Sequence, residues 1–369
     1  MSTADHMQNG VEAPPVFVKP NFDTLVELQK REHIYQPKLN LWGTTAGDWQ
    51  TGVKQSAETF GMPPGAIFDP KLPEGVPYTI ENTKNEVAAL AHHAWHLMNI
   101  EDASTGTISN LESALAAIQA VFGGARTLMM VRPLASEHTD DVRAIRARKL
   151  IEIALTRARS FVSPETLNAR AVKNGGDADS RMVMEKWLRD VSQEARKSQG
   201  SEIRVRSQVR LPEATPLQKR VYFSGSSIPR NASAVKAAIF KELKGVTVVD
   251  SHREAGLYGR MEMAEEQRER DKSAVALHVI TNDTDSLGAI GQTFWLALLA
   301  AFNGQKFGMY IEPTDPTRLS ADAVKLRRSL AMHMEAIQRG FSGLITVKES
   351  PEALAAWAQQ TLEEYKPVE

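Results

Sequence analysis

The 369-residue chain contains no cysteine. That excludes disulfides, thiolate catalysis and cysteine-based zinc or iron–sulfur centres. An excess of either charge is also missing: 44 Lys and Arg stand against 45 Asp and Glu. No global field therefore recruits nucleic acid or an anionic membrane, and neither is expected as a partner. No apolar run approaches the roughly 20 residues needed to cross a bilayer, and the polar N-terminus lacks an apolar signal segment. A cytoplasmic protein is expected. Neither GxxxxGK[ST] nor a GxGxxG after a first strand occurs, which removes the P-loop and dinucleotide-oxidoreductase readings. Nothing calls for a metal or an organic cofactor, and none is expected.

What the chain does have is an internal repeat. "NIEDASTGTISNLESALAAIQAVFGGARTLMMVRP" and "VITNDTDSLGAIGQTFWLALLAAFNGQKFGMYIEP" align at a constant shift of 180 residues. Ile100 meets Ile280, Phe122 meets Phe302, Gly124 meets Gly304 and Met129 meets Met309. The register continues to Phe161 and Phe341. Identities are sparse, but the shared order of strand, loop, helix, Gly stop and strand is a whole supersecondary unit. Upstream, "KLNLWGTTAGDW" matches "RVYFSGSSIPRN", each an apolar strand ending in Gly and two hydroxyl residues.

Both halves alternate strand and helix, which predicts an α/β protein of two tandem Rossmann-like, flavodoxin-like, doubly wound parallel sheets. The expected divisions are an N-terminal arm over 1–36, a first α/β domain over 37–165, a helical and extended linker over 166–217, and a second α/β domain over 218–369. The arm is expected to wrap over a neighbouring domain. The last strand of the second half, "LITVKES", has no evident partner in the first, so the first domain is read as a trimmed copy.

Ligands of parallel α/β sheets bind beyond the carboxyl ends of the strands. Two loops per half converge there. One is the Gly-hydroxyl turn, Gly43-Thr44-Thr45 and Gly225-Ser226-Ser227, whose backbone and hydroxyls suit a phosphate. The other precedes the fourth helix, with Ser104, Thr105 and Thr107 in one half and Thr284, Asp285, Ser286 and Gly288 in the other. N-caps and turns are the alternative explanation of both.

The second half resembles the nucleoside 2-deoxyribosyltransferase superfamily, in particular its nucleoside-monophosphate N-glycosidase branch. The resemblance rests on "VYFSGSS", on "SLGAIGQTFW" and on "KFGMYIEP"; it covers most of 218–369 and, more faintly, about 37–135. It implies cleavage or exchange of an N-glycosidic bond through a carboxylate nucleophile, with a second acid assisting departure of the base. Carried over, Ser226 and Ser286 fall on the phosphate-contacting serines and Gln292 on the nucleophilic glutamate. An amide cannot form the glycosyl ester, so the second site is expected to be inactive. The repeat register places Glu112 opposite Gln292, making Glu112 the candidate nucleophile, or a first-turn acid favoured by the helix dipole. The family's helical Asp would fall near Arg268 and Ala88, so Glu86 or Glu81 is left as a substitute acid, with Glu86 the candidate. Sites of this family borrow residues from a paired subunit, so the tandem is expected to act as a built-in dimer or to self-associate.

Two function classes follow. One is an N-glycosidase or deoxyribosyltransferase acting on nucleosides or nucleoside monophosphates through Glu112. The other is a non-catalytic nucleotide-binding or oligomer-forming relative. His92 and His96, four residues apart, are read as structural rather than metal-ligating. The arginines of "VRAIRARKLIEIALTRARSF" are read as a solvated helix face, with an interdomain acidic contact or a nucleic-acid patch as the alternatives.

Overall fold

In the computed structural model, the residues described are 15–43, 49–72, 76–100, 108–134, 141–172, 178–226, 233–250 and 260–368. Among them, two sheets of six strands each are formed. The first contains β2 (Glu32–Gly43), β3 (Ile67–Phe68), β4 (His93–Ile100), β5 (Arg126–Val131) and β6 (Leu167–Ala171). Its parallel order is β3-β2-β4-β5-β6. The second contains β8 (Leu217–Gly225), β9 (Val248–Asp250), β10 (Ser273–Ile280), β11 (Lys306–Ile311) and β12 (Thr346–Lys348), ordered β9-β8-β10-β11-β12. Counted from its own first strand, each half therefore runs 2-1-3-4-5, the flavodoxin-like doubly wound order.

The helices keep the repeat register. α3 (Ile80–His92), α4 (Ile108–Ile118) and α5 (Val142–Phe161) correspond to α8 (Arg260–Lys272), α9 (Leu287–Phe302) and α10 (Ala321–Gly340). Local signals explain their limits. Thr79 and Asn82 form a capping box before α3, and Ser320 accepts from the Ala323 N–H at the start of α10. α4 continues into a π-helical turn, Gln119–Gly123, and stops at Gly124 with φ +75°; Gly304, with φ +68°, ends its counterpart. β4 and β10 are buried along their whole length, as central parallel strands covered on both faces must be.

Three of the expected divisions change. β6, "LNARA", pairs parallel with β5, so the strand read as absent is present and the first half is not trimmed. α6 (Ala178–Ser198) is not a linker helix: Trp187, Leu188, Val191 and Ala195 bury against the first sheet beside Trp95 and Leu128. The first half thus extends well past residue 165. β2 begins at Glu32, inside the arm drawn over 1–36.

The segments that precede each half are exchanged. β1 (Phe17–Val18) adds antiparallel to β8 of the second sheet, while β7 (Ile203–Arg206) adds antiparallel to β2 of the first. One core then spans both halves. α4 and α9 pack on each other, α5 lies on α9, and α10 lies on α3 and α4. Phe122, Phe294, Trp295 and Phe302 are all buried in this shared layer.

Candidate functional site

The switch point of each sheet lies between its first and third strands, where neighbouring connections leave in opposite directions and open a crevice. Gly43 and Gly225 end those first strands with φ +131° and +134°. A Cβ there would lie 2.3 Å from the Asn99 carbonyl oxygen and 2.0 Å from that of Val279, residues that are themselves repeat partners. Only glycine lets the two strands approach so closely. Thr44, Thr45, Ser104, Thr105, Thr107 and Ser227 lie outside the described residues.

In the second half the crevice is a cleft of about 280 Å³. Gly225, Ser286, Gly288 and Gln292 line it, as do Tyr222, Ser224, Glu266, Arg270 and His278. Ser226 does not. It is buried behind the loop, where its hydroxyl accepts the Thr281 N–H and lies 2.5 Å from that of Ser286. This corrects its reading as a direct phosphate contact: it positions Ser286. Ser286 itself takes the left-handed conformation, φ +55°, and gives α9 no side-chain cap. The first turn of α9, Leu287 to Ala289, faces the cleft, a helix end whose amides and dipole favour an anion.

The loop leading into α9 is held from behind by Arg327, which is 1% exposed. Its guanidinium donates to the Thr281 carbonyl and, at 2.9 Å, to Asn282 Oδ1. Asp285 accepts the Ser320 N–H at 2.9 Å, which holds its carboxyl below the usual range. Burial keeps His278 neutral, lowering it to about 4. Its Nε2–H donates to the Ala289 carbonyl at 3.0 Å, leaving Nδ1 to accept from Ser224 at 2.9 Å.

The cleft is built by both halves. α5 of the first half contributes Arg146, Lys149, Leu150 and Ile153. Arg146 pairs with Glu266, whose Oε1 also accepts from the Tyr222 hydroxyl at 2.6 Å. Farther along α5, Arg157 lies 3.7 Å from Asp271. Arg146 and Arg157 are therefore interdomain contacts rather than a solvated face. Glu266 is the repeat partner of Glu86. Sequence reading missed it because α8 is crowded with acids and has no apolar stripe; the 180-residue register was the signal that could have found it.

In the first half, Glu86 and Glu112 are both buried, near enough for the charge of one to act on the other, while Glu81 is exposed on α3. The Tyr78 hydroxyl donates to Glu86 Oε2, and Thr83 donates to the Tyr78 oxygen at 3.1 Å. Burial raises Glu86 to about 7, partly offset by that hydrogen bond. Burial, and then the nearby Glu86 charge, raise Glu112 well above the carboxylate range. An ionised Glu86 thus disfavours ionisation of Glu112.

The two histidines separate. His92 ends α3 and is exposed, whereas His96 is buried in β4 beside Asn40 Nδ2 at 3.0 Å. Among the described residues no group of three or more His, Cys, Asp or Glu side chains could hold a metal ion, and no helix is long and apolar enough to cross a membrane.

The fold and cleft define a doubly wound α/β protein with a switch-point crevice shared between two halves. No protein-family model and no curated protein matches the chain. It is similar to a solved C2-type ketoreductase from a modular polyketide synthase, at 12% identity and a TM-score of 0.24, covering 89% of this chain and 97% of that one. A likeness at that level supports no argument about activity.

Proposed function

We propose that this chain binds a nucleoside monophosphate, or a closely similar small phosphorylated ligand, in the second-half cleft without cleaving it. The observation that carries the reading is Gln292 on the wall of that cleft, one turn inside the uncapped start of α9. The helix start and the cations Arg146, Lys149 and Arg270 suit the phosphate. The side chain in the nucleophile's place is an amide, which cannot form a glycosyl ester. The ligand bridges the halves because α5 supplies part of the wall, so binding strengthens their association.

A second reading is catalytic and belongs to the first half. Two adjacent buried carboxyls, one holding a proton, provide the acid and the nucleophile that glycosidic cleavage requires. Free-base release from a panel of nucleoside monophosphates, by the wild type and by Glu112→Gln, separates the two. Binding without release supports the first reading. Release abolished by Glu112→Gln supports the second and sinks the first as the protein's principal role.

A further inference from the structure

The second-half cleft has a neighbour. A cavity of about 350 Å³ opens between the same two helices, α5 and α8. Ile145, Arg148 and Glu152 of α5 line it, with Ala264 of α8 and Leu134. Lys149 and Gln267 line both cavities.

Helix geometry explains the sharing. Residues three and four apart lie on one face of a helix. On α5, Arg146, Leu150 and Ile153 form the stripe that faces the cleft, while Ile145, Arg148 and Glu152 form the neighbouring stripe. Lys149, four after Ile145 and three after Arg146, stands on the ridge between them. Gln267 holds the same place on α8, three after Ala264 and three before Arg270. The two cavities are therefore chambers of one groove, and Lys149 and Gln267 flank the passage that joins them.

The lining sets the chemistry of what fits. At the passage an ammonium and an amide N–H₂ both donate, which suits an anionic linker. Beyond it, Arg148 Nε lies 3.2 Å from Glu152 Oε1, so these charges answer each other and call for none on the occupant. Lys149 stands farther off, 4.0 Å from the other Glu152 oxygen. The Glu152 side chain is 48% exposed, and a carboxylate only accepts, so it needs hydroxyl donors. Leu134, Ile145 and Ala264 offer apolar surface to the C–H face of a sugar ring.

We propose that the groove binds a nucleoside diphosphate sugar, its nucleotide in the first chamber, its diphosphate at Lys149 and its sugar in the second. This rests on the nucleotide reading of the first cleft and extends it.

The test is calorimetric titration of the full chain with two series: AMP, ADP and ADP-ribose, then UMP, UDP and UDP-glucose. In at least one series the sugar ester binds about tenfold tighter than its diphosphate. Ala264→Trp, at an exposed position of α8, fills the second chamber. It removes that gain and leaves the monophosphate's affinity unchanged. Glu152→Ala lowers the ratio of ester to diphosphate affinity about fivefold, the loss of one hydrogen bond. The proposal alone is overturned if the monophosphate binds but the sugar ester gains nothing over its diphosphate, or if the gain survives Ala264→Trp. Should that variant fail to fold, an unchanged ratio in Glu152→Ala overturns it instead. If no member of either series binds, the nucleotide reading of the cleft falls with it.

Discussion

The rings of Phe122 and Phe302 lie 6.0 Å apart, one from each half, at positions 180 residues apart in the repeat. Phe161 stacks on Phe302 with centroids 4.6 Å apart, and its own repeat partner, Phe341, packs near Gly123 on the reciprocal side. The halves are thus joined through matched residues meeting each other. Together with the exchanged strands β1 and β7, this makes them one folding unit. Phe302→Ala is expected to cost about 3–5 kcal/mol. Its unfolding curve in urea should remain a single transition across both sheets. Two separated transitions in the wild type would contradict the shared core.

The switch-point glycines give a sharper expectation. Gly225→Ala forces a Cβ against the Val279 backbone in a conformation that L-residues rarely adopt. A loss of roughly 2–4 kcal/mol is expected. Gly43→Ala, against the Asn99 carbonyl, should cost a similar amount. By contrast Gly52→Ala, with nothing within 4 Å of the added Cβ, should be neutral or stabilising in thermal melts.

Glu86 makes stability depend on pH. Its folded value, about 7, exceeds the ordinary 4.5, so the folded state holds the proton more tightly. Stability from this group is complete below pH 4.5 and is lost as pH rises towards 7. The loss is of the order of 3 kcal/mol. Glu86→Gln keeps an acceptor for the Tyr78 hydroxyl and carries no charge. Urea titrations at pH 5 and 8 should therefore show the variant gaining on the wild type as pH rises. A constant difference would show that Glu86 does not titrate in this window.

Lys149 sits on the cleft wall and contributes little to packing. Lys149→Glu should weaken a nucleoside monophosphate about tenfold, by charge reversal near the phosphate, while changing stability by less than about 0.5 kcal/mol. The affinity of the unphosphorylated nucleoside should hardly change. Calorimetry of both ligands with both proteins checks this.

Much of the fold was legible because its signals are periodic and local. The 180-residue register aligned β4 with β10 and β5 with β11, since strand, loop, helix, glycine stop and strand recur in the same order. β6 was not legible. Only Leu167 and Ala169 of "LNARA" are buried, and the preceding "SPET" imitates the "SPEA" that caps α11 (Pro351–Glu364). At the site, the register and the likeness of "LESALAAI" to the family's helix start indicated Glu112, and Glu86 followed as one of two acids near the position expected for a helical Asp. For Arg146 an acidic contact between the halves stood only as an alternative to a solvated face, and Tyr222 was out of reach. Their partner, Glu266, stands 120 and 44 residues away along the chain, and only the packing of α5 on the second half brings the three together.

The most direct test is to titrate the wild type with a nucleoside monophosphate and then assay the recovered ligand for free base. The account predicts saturable binding, at least tenfold tighter than for the nucleoside, with the glycosidic bond intact. Equal affinity for both ligands, or base released at the bound site, would contradict it.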